Sequence, residues 1–254
     1  HPFEQCALDE AAHDLLAQME GLPLYKKWGL HYQNNPLTDY TLGFGPTEEM
    51  VAKMNEMPWP IYKIKLGTKD DLNIIRHLRK HTTAVFRVDA NTAWTAEETL
   101  AYAPELKNLG VEFIEQPLKP EDWEGQRLLF EKCVLPVIAD ESCQKEEDVK
   151  RCAGYFHGVN IKLMKCGGLL GAKEIASIAQ HAGIDLFWGC NDESIVSITG
   201  ALHAAYSCPN TKYIDLDGSF DLGEDFVKGG FYVKEGKMGI YKDRFGLGFA
   251  NDEL

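Results

Sequence analysis

IYKIKLG, residues 61–67, is a short apolar run that contains two lysines, Lys63 and Lys65. Its β-branched and aromatic residues are typical of a buried strand. Side chains two residues apart in a strand lie on the same face, so both ammonium groups should point to one side. Because buried charges need partners, the run predicts a strand that reaches a site rich in opposite charge.

Similar runs recur at intervals of roughly 25 residues, which is the length of one strand, one helix and two turns. They cover residues 39–44, 61–66, 84–90, 111–116, 136–141, 158–163, 183–188 and 212–217. Helical patterns lie between them, with start signals such as Thr68 before Asp71 and Thr95 before Glu98. This α/β rhythm predicts a parallel barrel. An open doubly wound sheet is the alternative, but the first run is followed only by a lone GxG at 43–45.

The two ends of the chain differ from this rhythm. Residues 1–36 are predicted to form a helix and a connector that leads into the barrel at 37–217. Residues 218–254 are predicted to form a C-terminal tail with a hairpin at 229–245. Because the chain begins with His-Pro and enters a helical pattern almost at once, we expect an N-terminal part of the native protein to precede it.

Composition excludes several classes of protein. A net charge of -13 and a pI near 5.1, without a basic stripe, argue against nucleic-acid binding. No run approaches the ~18 apolar residues of a membrane span, so we expect no membrane insertion. The seven cysteines show neither CxxC spacing nor a disulfide-like cluster, which indicates reduced thiols and a cytoplasmic location.

Three carboxylates lie at the ends of three consecutive predicted strands: Asp89, Glu115 and Asp140. In a barrel these ends meet at one mouth, where three carboxylates would repel one another without a cation among them. An all-oxygen ligand set favours Mg²⁺. For each residue alone, helix capping or a salt bridge is the alternative.

Two lysines, Lys65 and Lys162, lie on strands that flank the carboxylate strands, so we expect them to face each other across the metal. Such a pair can serve both faces of one carbon atom. A lysine base must lose its proton, and Lys63 beside Lys65 favours that loss. The alternative is that Lys63 and Lys65 form structural salt bridges with the carboxylates.

These residues belong to motifs that resemble the enolase superfamily, and within it the muconate lactonizing enzyme subgroup. The motifs are KIK at 63–65, DAN at 89–91, IEQP at 114–117, ADES at 139–142 and NIKLMKCGG at 160–168. The resemblance implies an enolase-type (β/α)7β TIM-like barrel, and an N-terminal α+β capping domain that we expect to be missing from this chain. The tail at 218–254 is expected to return towards that capping domain. It also implies Mg²⁺ on Asp89, Glu115 and Asp140, and acid/base roles for Lys65 and Lys162. The shared chemistry is removal of the proton α to a carboxylate, which gives a metal-stabilised enediolate.

The late strands distinguish between branches of this superfamily. The mandelate racemase branch uses a histidine base on a late strand, and FWGCNDES at 187–194 contains none. YIDLDG at 213–218 resembles the motif of dipeptide epimerases in which two aspartates, here Asp215 and Asp217, hold the substrate's α-ammonium. A solvated Asp-Gly turn is the alternative. Cys190 and Asn191 follow the seventh strand and are predicted to line the pocket.

The sequence therefore predicts a Mg²⁺-dependent isomerase that epimerises the C-terminal residue of a dipeptide. Its partner is a small molecule, and a homo-oligomer is left open. Two alternatives remain. One is an o-succinylbenzoate synthase or N-acylamino acid racemase of the same subgroup, and the other is a non-catalytic, metal-dependent barrel that binds peptides.

Overall fold

The computed structural model describes residues 1–28 and 36–250, which form two compact units. The first unit consists of Asp39–Cys143 and Arg151–Val159, and the second of His1–Thr38, Gln144–Lys150 and Asn160–Leu254, each as far as it is described. Part of the helix and connector predicted for residues 1–36 falls on residues 29–35, outside the described residues. The predicted boundaries at residues 36 and 217 stay predictions.

Strands and helices alternate along the chain. The strands are β1 (Tyr40–Leu42), β2 (Ile61–Lys65), β3 (Val85–Asp89), β4 (Val111–Glu115), β5 (Val137–Ala139), β6 (Gly158–Ile161), β7 (Asp185–Trp188), β8 (Thr211–Ile214), β9 (Phe231–Lys234) and β10 (Lys237–Ile240). The helices are α1 (Pro2–Met19), α2 (Leu24–Lys27), α3 (Thr47–Glu56), α4 (Asp71–Arg79), α5 (Ala96–Asn108), α6 (Trp123–Lys132), α7 (Glu146–Cys152), α8 (Leu163–Cys166), α9 (Leu169–Ala182) and α10 (Ile195–Ser207).

In the first unit, β1 to β5 form a parallel ladder in chain order, and the first two residues of β6 pair with β5. The strands are apolar because they are buried on both faces: Ile64, Val88 and Ile114 have no exposed surface. The register pairs Lys65 with Asp89, and Asp89 with Glu115. Neighbouring strand ends therefore place the charged residues side by side at one edge.

In the second unit, the N–H of Gly189, directly after β7, donates to the carbonyl of Ile161 at the end of β6, at 3.0 Å. Strands β7 and β8 pair in parallel. Helix α1 packs against α8, α9 and α10. Strands β9 and β10 form an antiparallel hairpin within the stretch 229–245.

Two helix starts show where local signals succeed and where they do not. The capping box at α5 is confirmed, since Glu98 N–H donates to Oγ1 of Thr95 at 3.2 Å and Glu98 Oε2 accepts from Thr95 N–H at 2.8 Å. The signal at Thr68 is different. Helix α4 has Asp70 at its N-cap, and the carboxylate of Asp71 accepts hydrogen bonds from the preceding loop instead.

Several strands end earlier than the apolar runs predict. Asp140 follows β5, Lys162 follows β6, and Asp215 and Asp217 follow β8. These side chains are therefore positioned by the strand ends that precede them. Within the described residues, no helix is long and apolar enough to cross a membrane.

Candidate active site

Lys63 and Lys65 on β2 both form ion pairs with carboxylates of the first unit. Nζ of Lys63 is 2.8 Å from Oε2 of Glu115 and 3.6 Å from Oδ2 of Asp89. Nζ of Lys65 is 2.6 Å from the same oxygen of Asp89. The Lys63 side chain is only 2% exposed, whereas that of Lys65 is 24% exposed. The salt bridges between these lysines and the carboxylates, which the sequence analysis gives as the alternative, are therefore present. Of the two lysines, Lys65 is the more accessible to a substrate.

Asp89, Glu115 and Asp140 occupy the ends of three neighbouring strands and are almost completely buried. Asp89 and Glu115 have no exposed surface, and Asp140 is 2% exposed. Buried carboxylates require compensating positive charge, and an all-oxygen donor set suits a hard divalent cation. The donor chemistry of the first unit thus fits the Mg²⁺ that the sequence predicts.

Gln116, the residue after Glu115, ties the ends of β4 and β5 together. Its Oε1 accepts from the N–H groups of Asp140 at 3.0 Å and Ser142 at 3.1 Å. Its Nε2 donates to the carbonyl of Leu118 at 2.8 Å and to Oγ of Ser142 at 2.9 Å. The backbone of Gln116 has a φ of 31°, a left-handed conformation that costs a non-glycine residue about 1–3 kcal/mol. Gln116 therefore positions Asp140, a role that the sequence analysis missed.

The loop after Lys65 is held by the buried carboxylate of Asp71. This carboxylate accepts from the backbone N–H groups of Gly67 at 3.0 Å and Thr68 at 2.8 Å, and from Nε1 of Trp94 at 2.7 Å. Gly67 has a φ of 141°, which favours glycine. The end of β2 is therefore continued by a fixed loop.

In the second unit, Lys162 directly follows β6 at the N-cap of α8 and is 6% exposed. The end of β7 approaches this strand closely at Gly189, where a Cβ would overlap the Asn160 side chain. A side chain at this position would have to displace the Asn160 side chain, so the close approach of the two strands beside Lys162 favours glycine.

Cys190, Asp215 and Asp217 form a cluster in the second unit. Their potential ligand atoms all lie within 4.8 Å of one another, and Sγ of Cys190 is 4.0 Å from Oδ1 of Asp217. Asp215 is 3% and Asp217 9% exposed, so they are not the solvated turn of the alternative prediction. Burial, and next the charges of Asp215 and Asp217, raise the pKa of the Cys190 thiol well above its ordinary value. The cluster is a concentrated negative site that suits a cation.

Asn191 lies beside this cluster, and its backbone leads to a residue that the sequence analysis missed. The N–H of Asn191 donates to Oε1 of Glu193 at 2.7 Å. Glu193 is 8% exposed; burial raises the pKa of its carboxyl, and the charge of Lys162 acts in the opposite direction. The signal in the sequence is a carboxylate just after the seventh strand, within FWGCNDES at 187–194.

Comparisons with known proteins identify the family to which the chain belongs. The Enolase C-terminal domain-like family matches residues 47–254. The chain belongs to the enolase superfamily. Membership in the enolase superfamily confirms the predicted enolase-type (β/α)7β barrel class.

Two curated superfamily members are identical to the chain at about half of the aligned positions. The L-Ala-D/L-amino acid epimerase of Flavobacterium johnsoniae is 51% identical over 234 residues, which are 92% of this chain and 68% of that protein. A Maribacter protein of the same name is 53% identical over 227 residues, which are 89% of this chain and 66% of that protein. The chain thus spans about two thirds of the length of these relatives.

Solved structures of the enolase superfamily are similar over nearly the whole chain. The dipeptide epimerase of Methylococcus capsulatus, in complex with Mg and the dipeptide L-Arg-D-Lys, has a TM-score of 0.90 and 40% identity. The similarity covers 98% of this chain and 72% of that one. The dipeptide epimerase of Enterococcus faecalis, in complex with Mg and L-Leu-L-Tyr, has the same TM-score at 33% identity, over 98% of this chain and 73% of that one.

Proposed function

We propose that this protein is a Mg²⁺-dependent dipeptide epimerase, which transfers a proton at the α-carbon of the dipeptide's C-terminal residue. The observation that carries the proposal is the buried pair of Asp215 and Asp217. Two adjacent buried carboxylates concentrate negative charge, and the free α-ammonium of a dipeptide is a cation that suits such a site. Relatives of 51% and 53% identity that are named L-Ala-D/L-amino acid epimerases support the same activity.

Lys65 and Lys162 are the proposed acid/base residues. Each lies at or directly after the end of a strand, Lys65 on β2 and Lys162 after β6. The lysine that removes the α-proton must begin neutral, and the other lysine must carry the proton that is returned. Because removal and return use different residues, the configuration inverts. The starting stereoisomer decides which lysine acts first.

Asp89, Glu115 and Asp140 are the proposed ligands of Mg²⁺. When bound, Mg²⁺ stabilises the negative charge that develops on the substrate's terminal carboxylate as the α-proton leaves. Lys63 has a supporting role, because its ion pairs with Glu115 and Asp89 balance charge inside the first unit. Gln116 holds the backbone that carries Asp140.

The two-lysine scheme predicts that either lysine is essential. Lys65→Ala and Lys162→Ala should each lower the rate of L-Ala-L-Glu epimerisation by about 10²- to 10⁴-fold. Proton NMR of the two diastereomers measures the rate. Lys145→Ala is the control, because the side chain of Lys145 forms an exposed ion pair with Glu147, and the rate of this variant should be unchanged. A Lys162→Ala variant with full activity would contradict the scheme.

Asp217→Asn tests the role of the aspartates. It should raise KM for dipeptides by about 10- to 150-fold, since charged hydrogen bonds contribute about 1.5–3 kcal/mol. Asp185→Asn is the matched control, because Asp185 pairs with Lys212 at the surface. Undiminished dipeptide turnover in Asp217→Asn would instead favour an N-acylamino acid racemase or o-succinylbenzoate synthase, whose substrates have no free amine. Peptide binding without α-proton exchange would favour a binding barrel.

A further inference from the structure

Glu193 lies in the loop between β7 and α10 and is 8% exposed. It takes no part in the proton transfer proposed for Lys65 and Lys162. Glutamate is seldom buried to this extent unless hydrogen bonds or opposite charge compensate for the loss of water. The contacts of Glu193 therefore indicate what this buried carboxyl group does in the second unit.

One hydrogen bond of Glu193 holds the loop that follows β7. Its Oε1 accepts from the backbone N–H of Asn191 at 2.7 Å. A carboxylate that accepts from a backbone N–H forms a strong, charge-assisted hydrogen bond. Nδ2 of Asn191 in turn lies 3.9 Å from Sδ of Met164, on α8 and two residues after Lys162. Glu193 thus fixes the backbone of a residue that is predicted to line the pocket.

A second hydrogen bond reaches the loop that follows β8. The N–H of Glu193 donates to the carbonyl of Gly218 at 3.3 Å, and Gly218 directly follows Asp217. The two loops are in close contact here. The N–H of Gly218 donates to Sγ of Cys190 at 3.3 Å, and a Cβ on Gly218 would lie 1.9 Å from the carbonyl oxygen of Asn191. Glu193 is therefore part of the contact that holds the backbone beside Asp217.

The position of Glu193 is itself fixed, because helix α10 begins two residues later. Oγ of Ser194, at the N-cap of α10, accepts from the N–H of Val196 at 3.2 Å. The same hydroxyl donates to Oδ1 of Asp225 at 2.8 Å, and Oδ2 of Asp225 accepts from the N–H of Ile195 at 2.7 Å. Two side chains thus hold the first turn of α10, from which Glu193 reaches both loops.

The surroundings of the Glu193 carboxyl act in both directions on its charge. Burial raises its pKa, whereas a hydrogen bond with Ser197, the hydrogen bond from Asn191 and the charge of Lys162 lower it. These three influences favour the carboxylate form. The carboxyl is therefore linked by hydrogen bonds to the loop after β7 and to α10, and by charge to Lys162.

We propose that Glu193 is a positioning residue of the epimerase site, which sets the place of Asp217 by holding the loops after β7 and β8 together. It acts through Asp217 and does not touch the substrate. Without its hydrogen bonds, Asn191 and Gly218 move apart, and the carboxylate of Asp217 leaves the position that receives the dipeptide's α-ammonium. The inference rests on the proposed function, because it concerns the same amine site.

Two substitutions of similar volume test the inference through KM and kcat for L-Ala-L-Glu. Glu193→Met removes the acceptor and should raise KM about 10-fold while kcat changes less than about 3-fold, because the amine site binds the substrate but does not move the proton. Glu193→Gln should stay within about 3-fold of the wild-type KM, since its Oε1 still accepts from the N–H of Asn191. Glu174→Ala, at an exposed glutamate on α9, is the control and should match the wild type.

Proton NMR of the full-length protein with Mg²⁺ gives both constants, and circular dichroism shows whether each variant is folded. Glu193→Ser, which leaves room for water at the N–H of Asn191, replaces Glu193→Met if that variant does not fold, and the same rise in KM is expected.

A double-mutant cycle separates action through Asp217 from a general structural role. In an Asp217→Asn background, Glu193→Met should change kcat/KM by less than about 2-fold, although it lowers kcat/KM about 10-fold in the wild type. Independent effects would instead multiply. An effect of Glu193→Met that multiplied the effect of Asp217→Asn would contradict the inference.

Hydrogen exchange provides a readout that does not depend on turnover. Residues 189–193 and 216–220 should exchange their amide hydrogens faster in Glu193→Met than in the wild type, as followed by mass spectrometry. Unchanged exchange, an unchanged KM in Glu193→Met or an equal rise in KM in Glu193→Gln would overturn the inference. If the wild type turns over L-Ala-L-Glu, these results refute only the role of Glu193. Faster exchange in Glu193→Met, together with a wild type that turns over no dipeptide, refutes the proposed function and leaves the loop contact established.

Discussion

Replacing Lys63 by methionine should destabilise the protein strongly in the absence of a divalent ion. The Lys63 side chain is 2% exposed, and its partners Glu115 and Asp89 are fully buried at 2.8 and 3.6 Å. Removing one partner of such a buried pair costs about 3–5 kcal/mol, because the other charges stay buried. For a domain of this size, each kcal/mol lowers Tm by about 2–4 °C. Lys63→Met with EDTA should therefore melt about 6–20 °C below the wild type by circular dichroism.

Added Mg²⁺ should restore part of the stability that Lys63→Met loses. At a free concentration of 100 Kd, a ligand stabilises the folded state by about 2.7 kcal/mol. Lys145→Met is the control. It removes the ion pair between Lys145 and Glu147, whose side chains are 56% and 71% exposed, and should change the free energy of unfolding by at most about 1 kcal/mol. If Lys63→Met with EDTA melted at the wild-type temperature, the assigned role of Lys63 in balancing buried charge would be wrong.

Three further predictions concern other buried groups. Burial lowers the pKa of His203 to about 3. Between pH 6.5 and about 3, this imidazole therefore takes up a proton only in the unfolded state. His203→Gln should remove about 2.3 kcal/mol of the stability that the wild type loses between pH 6.5 and 4.5 in urea titrations. A variant with unchanged acid sensitivity would contradict this. Gln116→Leu should weaken Mg²⁺ binding about 10- to 100-fold in calorimetry, because Asp140 loses its anchor; unchanged affinity would refute that role. The raised pKa of the Cys190 thiol predicts slow alkylation by iodoacetamide at pH 8 by mass spectrometry, and labelling at the rate of a free cysteine would contradict it.

Much of the fold follows from local sequence signals. Apolar runs mark buried parallel strands, and IYKIKLG contains the strand β2, whose two lysines are spaced to reach the same carboxylate, Asp89. Asp89 and Glu115 were found because strands adjacent in sequence are also adjacent in the ladder, with their ends in register. Where consecutive strands also pair in the sheet, the sequence is enough to predict which strand-end residues lie together.

The parts that the sequence does not reveal depend on tertiary contacts. Gln116 reaches the backbone of Asp140 across 24 residues, and no local pattern distinguishes that amide from any other. Glu193 after β7 and Gly218 after β8 are hydrogen-bonded, although they are far apart in the chain. Strand ends were also misplaced by a few residues, because the end of a ladder depends on where the partner strand turns.

Proton exchange by Lys65 and Lys162 is tested most directly by proton NMR in D₂O. Full-length protein with Mg²⁺ is incubated with L-Ala-L-Glu, and the α-proton signal of the glutamate residue is followed. The proposed chemistry predicts that this signal disappears while the L-Ala-D-Glu diastereomer forms with deuterium at its α-carbon, and that EDTA stops both changes. Persistence of the α-proton in every dipeptide tested, together with exchange in N-succinyl amino acids, would contradict the dipeptide epimerase assignment.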